Sequence, residues 1–100
     1  MNNKQIITDE DVEKAVDFLI NTSEKAAKYK AERIYLTEYR KSLKALLMKD
    51  NLDLPISAQE REAYASPVYI SHLDALRSAI EKDEKQRFLR IAAEAKIEAW

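Results

Sequence analysis

SEKAAKYKAERIYLTEYRKSLKALLM, residues Ser23 to Met48, decides the fold. The stretch has no Pro, and the chain as a whole has no Gly. Its residues are mostly good helix formers. Tyr29, Leu36 and Leu43 stand seven apart, Tyr39 and Leu46 make a second row, and Leu47 widens the stripe. That is a short heptad-like, coiled-coil seam. Ala26, Ala27, Ala31 and Ile34 make a flatter face that another helix can approach closely. Glu24 and Lys28 form an i,i+4 pair of favourable polarity. With its extension to Asp50, the helix is about 40 Å long at roughly 1.5 Å per residue.

The rest of the chain reads outward from this helix. Thr8 is a good N-cap, and Asp9, Glu10 and Asp11 suit the positive end of a helix dipole. Val12, Ala15, Val16 and Leu19 then recur at helical spacing, predicting a helix over 9–21 after a flexible lead-in, 1–7. Asn21, Thr22 and Ser23 are poor helix formers in a row, and predict a break or kink before helix 23–50. Asn51 and Pro55 end that helix. Leu52, Leu54 and Ile56 are expected to plug the turn. Ser57 with Glu60 reads as a capping box opening a helix over 58–65. Ser66-Pro67 is a second start signal, with Pro at the first helical position, for a helix over 67–99.

On that last helix, Tyr69, Leu73, Leu76 and Ile80 line one face, and Phe88, Ile91, Ala92, Ala95 and Ala99 continue it past a polar run. The four-residue steps through Glu84 predict a drifting, hendecad-like phase rather than strict heptads. The spacing still runs at Trp100, which predicts a trimmed or frayed end. The fold class is therefore all-α: an antiparallel helical hairpin or small helical bundle with two long helices. One hundred residues make one domain, 1–100, and so small a chain gains from pairing with a second copy.

Composition excludes several functions. Without Cys there are no disulfides and no thiolate metal sites. Without Gly there is no P-loop and no dinucleotide fingerprint. The single histidine, His72, has neither an orienting carboxylate nor a nucleophile at usable spacing, and reads as a surface or edge residue. Glu60 and Glu62 beside Arg61 read as capping and surface charges. No enzyme, cofactor, metal or small-molecule substrate is expected. No run approaches the ~18 apolar residues of a membrane span, and the N-terminal residues lack the apolar core of a signal peptide. A cytoplasmic location is expected.

The net charge of −1 conceals a pattern. Residues 22–49 carry eight basic and three acidic side chains, flanked by acidic segments. A basic middle can be a binding surface or can pair internally with other helices. Basic residues interleaved with Tyr suit a nucleic-acid groove, the cations for phosphate and the rings for bases. The candidate binding residues are Arg33, Tyr35, Arg40, Lys41 and Lys44. Tyr29 and Tyr39 fall on the apolar seam, whereas Tyr35 lies off it. Tyr64 and Tyr69 flank the Ser66-Pro67 turn and read as packing of that junction.

AERIYLTEYRKSLKALLM at 31–48, QEREAYASPVYISHLDALRSAIE at 59–81 and the ending AAEAKIEAW together resemble a group of small uncharacterised phage and prophage proteins. The resemblance covers residues 26–100. Proteins of that group are similar in size and helical content and are encoded near phage recombination and replication genes. No catalytic motif is defined for the group, and its Glu-Ala-Trp ending is usually followed by Arg and a few more residues. The resemblance implies an accessory role in phage DNA metabolism, with DNA or a recombination protein as partner. The competing expectations are an inhibitor or adaptor directed at a host protein, and a purely structural oligomer.

Overall fold

A computed structural model describes residues 6–100. It is all-α, with helices α1 (Asp9–Asn21), α2 (Ser23–Met48), α3 (Ile56–Ala65) and α4 (Pro67–Ala99) and a 3-10 turn at Lys49–Asn51. No strand occurs among the described residues. Of the expected lead-in, residues 1–5 lie outside the described residues, and Ile6 and Ile7 precede the first helix.

Thr8 and Asp11 form a reciprocal capping box. The Asp11 amide donates to the Thr8 hydroxyl at 3.1 Å, and the Thr8 amide donates to the Asp11 carboxylate at 3.0 Å. Those bonds hold the Asp11 carboxyl below its ordinary value. The break after Asn21 is confined to Thr22, whose backbone (φ −108°, ψ 6°) leaves the helical region. The Thr22 hydroxyl donates to the Phe18 carbonyl at 2.6 Å and the Ser23 hydroxyl to Ile20 at 3.1 Å. Such back-bonding loosens the ladder and bends helices. The helical phase nevertheless survives the break, because the Ala26 amide still donates to the Thr22 carbonyl.

Val12, Ala15, Leu19, Thr22, Ala26, Tyr29, Arg33 and Leu36 recur in alternating steps of three and four, and all are buried or half-buried. Leu43 and Leu47 extend this heptad seam, with Tyr39 rather than Arg40 turned inward between them. Leu46, expected in the second row, is exposed.

α4 supplies the opposing seam: Tyr69, His72, Leu76, Ala79, Asp83, Gln86, Arg90, Ala93 and Ile97. These are unbroken heptad steps, so the hendecad expectation is corrected. The expected face holds at Tyr69, Leu76 and Ile80, and is corrected elsewhere. Leu73, Phe88, Ile91, Ala92, Ala95 and Ala99, read as core, are all exposed. Backbone phase, anchored by Tyr69 and Leu76, carries Asp83, Gln86 and Arg90 inward despite their polarity.

Cross-helix bonds make that inversion tolerable. Arg90 donates to the Leu19 carbonyl at 3.2 Å and to the Thr22 hydroxyl at 3.0 Å, thereby bonding the bend in the chain. Arg33 donates to Glu84 at 2.7 Å and to Asp83 at 3.2 Å. Only Gln86 Oε1 is left buried without a hydrogen-bond donor among the described side chains.

Two details of the α2–α4 connection differ from the sequence reading. α3 begins at Ile56, with Pro55 as its N-cap and no side-chain cap, so Ser57 and Glu60 form no capping box. Proline's fixed φ, here −58°, already sets the entry to the helix. Leu52 and Ile56 are exposed and do not plug the turn; Leu54 is half-buried. At the other junction Ser66 caps α4 by accepting from the Val68 amide, with Pro67 in the first turn. Tyr64 and Tyr69 meet edge to face there, 5.2 Å between centroids.

The result is long and thin, 71 × 29 × 17 Å. Its buried apolar residues are Ala15, Leu43, Ala63, Tyr69, Leu76, Ala79 and Ala93. No helix among the described residues is long and apolar enough to cross a membrane.

Candidate nucleic-acid interface

The five candidate residues of α2 separate into three places: Arg33 against α4, Arg40, Lys41 and Lys44 in one cleft, and Tyr35 outside it. Arg33 is spent on α4: its guanidinium lies between Asp83 and Glu84, and Glu84 also takes Arg87 at 2.8 Å. Those pairs raise the Arg33 pKa and hold Glu84 below its ordinary value, chiefly through Arg87 and then Arg33. A guanidinium so engaged is a structural cation.

Arg40, Lys41 and Lys44 sit further along, where α2 passes the α3–α4 junction. They line one cleft of about 390 Å³ together with Tyr64 and Tyr69. Lys44 is the inner member. Its ammonium donates to Glu60 at 2.9 Å and stands 4.9 Å from the centre of the Tyr64 ring. The Tyr64 hydroxyl and the Glu60 carboxylate together raise its pKa above the ordinary 10.5. Its charge is therefore already balanced. Lys41 is the outer member, with 78% of its side chain exposed and only a long 3.9 Å contact to Glu38. Arg40 is exposed at the same rim.

Tyr35 lies outside the cleft. Its ring is stacked on Tyr39, 5.9 Å between centroids and 12° between planes, and the residue is 61% exposed. Tyr39 is in turn tilted against His72. His72 sits at the edge of the interface: it is half-buried, and its Nε2 bonds to the Leu36 carbonyl at 2.8 Å, pinning α4 to α2.

Reading along the chain did not join Tyr64 and Tyr69 to the basic residues. Tyr64 belongs to α3, across the Ser66-Pro67 break from α4, so its approach to Lys44 depends on how α3 packs on α2, which spacing along the chain does not give. Chemically, the cleft can offer Arg40 and Lys41 to an anion and the Tyr64 ring to a planar group. It holds no nucleophile–base pair, and no group of three His, Asp or Glu is placed to ligate a metal among the described residues.

No protein-family model, curated protein or solved structure matches this chain.

Proposed function

We propose that this chain is a non-enzymatic phage accessory protein that acts in DNA recombination or replication by binding DNA. In this reading it is an antiparallel helical hairpin in the host cytoplasm. The phage setting rests on the resemblance of residues 26–100 to small phage and prophage proteins. The single observation that carries the binding mode is the cleft where Arg40 and Lys41 meet Tyr64 and Tyr69. Arg40 and Lys41 neutralise backbone phosphate, and the Tyr64 ring, 47% exposed, receives an unstacked base, with buried Tyr69 backing it edge to face.

Magnitude favours single strands and modest affinity. Two available cations give a log–log salt slope of roughly −1.4 on single-stranded DNA. Each stacked base adds about 1–3 kcal/mol. Arg33 and Lys44 contribute little, because their charges are balanced by Asp83, Glu84 and Glu60.

A second reading is favoured by a separate observation. Ile34, Tyr35, Leu46, Ile70 and Leu73 are large apolar side chains exposed on the two long helices. Such faces suit a recombination protein or a host factor. The two readings part on one experiment, binding of labelled DNA across a salt series. Binding that weakens with salt and is lost in Arg40→Ala/Lys41→Ala supports DNA contact. No binding at low salt sinks it and leaves the protein partner.

A further inference from the structure

The C-terminal half of α4 is inside out. Its inward seam carries Asp83, Gln86 and Arg90, while its outward face carries Phe88, Ile91, Ala92, Ala95 and Ala99. Phe88 is 60% exposed and Ile91 47%, although the Arg87 guanidinium lies 4.8 Å from the centre of the Phe88 ring. Apolar side chains at i, i+3, i+4 and i+7 on an open helix face are arranged to meet another helix. No element among the described residues covers that face: Phe88, Ile91, Ala95 and Ala99 stay exposed, and only Ala92, at its edge, lines a cavity shared with Lys14, Ala15 and Phe18 of α1.

We propose that the missing helix is α4 of a second copy, packed antiparallel about a two-fold axis between Ile91 and Ala92. In that arrangement the stripe is self-complementary from Phe88 to Ala95. Phe88 of one copy falls on the small Ala95 of the other, and Ile91 falls on Ala92. Large against small at these two levels lets two helices approach closely. The flanking charges obey the same register: Lys85 meets Glu98 of the second copy, twice by symmetry. A two-fold contact requires one patch to fit itself in this way.

The surface areas agree. A compact chain of 11.6 kDa exposes about 5,800 Å², whereas this one exposes 7399 Å². The surplus exceeds the roughly 800 Å² each partner commits to a standard interface. The pairing is independent of DNA binding, and a loss of either leaves the other measurable. It also sets the two Arg40–Lys41 clefts at opposite ends of the assembly, about 70 Å apart at roughly 1.5 Å of helix per residue.

The test is the mass of the full chain in solution by light scattering, without DNA, together with cysteine cross-linking. The absence of native Cys makes single cysteines unambiguous. The expected results are a mass of two chains, a disulfide-linked dimer from Ala92→Cys under mild oxidation, and none from Ser78→Cys. Ile91→Glu is expected to yield single chains with unchanged helix content. Lys85→Glu and Glu98→Lys each weaken the dimer several-fold, and the double variant recovers it. A single-chain mass at high concentration overturns the proposal and gives the face to another protein. So does a dimer that persists in Ile91→Glu, or one that cross-links at 78 and not at 92. If Ile91→Glu loses helix content, the cross-linking pair decides alone.

Discussion

Arg33 on α2 and Glu84 on α4, fifty-one residues apart, are joined by a 2.7 Å hydrogen bond that fixes the register of the two long helices. Asp83 shares the same guanidinium nitrogen, and Arg87 steadies Glu84 from one turn further on. The bond consumes the first residue of the candidate binding set. It also links stability to pH.

Glu84 and Asp11 both titrate below their ordinary values of 4.5 and 3.8. A depressed carboxyl contributes stability that is complete above its unfolded pKa and is lost as pH falls through the folded one. Thermal stability is therefore expected to hold from neutrality to about pH 5, then to fall as the medium becomes more acid. Arg33→Ala should flatten that fall, because Glu84 then loses one of its two cations. An acid profile unchanged by Arg33→Ala would show that the pair is not formed in solution.

Local features of this chain are legible in its sequence, and distant pairings such as this one are not. Thr8, Ser66 and Pro67 announced their helix starts because capping depends on neighbours within a few residues. Tyr29, Leu36 and Leu43 announced the α2 seam for the same reason. Arg33 did not announce Asp83 and Glu84, since a salt bridge across fifty residues depends on register. Beyond Ile80 on α4, spacing favours the more apolar of two possible stripes, through Phe88 and Ile91, as the core. The structure instead follows the phase set by Tyr69 and Leu76, and polar side chains are drawn inward where Arg90 can bond the Thr22 bend. Ser57 misled in a different way: Pro55 had already set the start of α3.

Leu43 is the one buried leucine of α2, 7% exposed. Leu43→Ala should lower unfolding stability by about 2–4 kcal/mol in chemical denaturation. A loss below about 1 kcal/mol would mean that this end of the molecule is less closely packed than described.

Gln86 Oε1 is buried without a donor, and an unsatisfied acceptor costs about 1–3 kcal/mol. Gln86→Leu keeps similar volume and removes it. The variant should be as stable as the parent or more so, read as a melting temperature that holds or rises. A fall of several degrees would show that Gln86 has a partner in solution.

Thr8→Ala removes the hydroxyl that accepts from the Asp11 amide. Loss of an N-cap costs about 1 kcal/mol, and the effect should appear first as faster amide exchange in the first turn of α1. Exchange rates unchanged there would contradict the capping box.

The most direct test of DNA contact is fluorescence anisotropy of a labelled single-stranded oligonucleotide, titrated with the full chain at several salt concentrations. Expected is saturable binding whose affinity falls with salt at a log–log slope of roughly −1.4 per cleft. It should be lost in Arg40→Ala/Lys41→Ala and kept in Arg33→Ala, provided helix content is unchanged. No binding at low salt, or binding indifferent to Arg40 and Lys41, would contradict it.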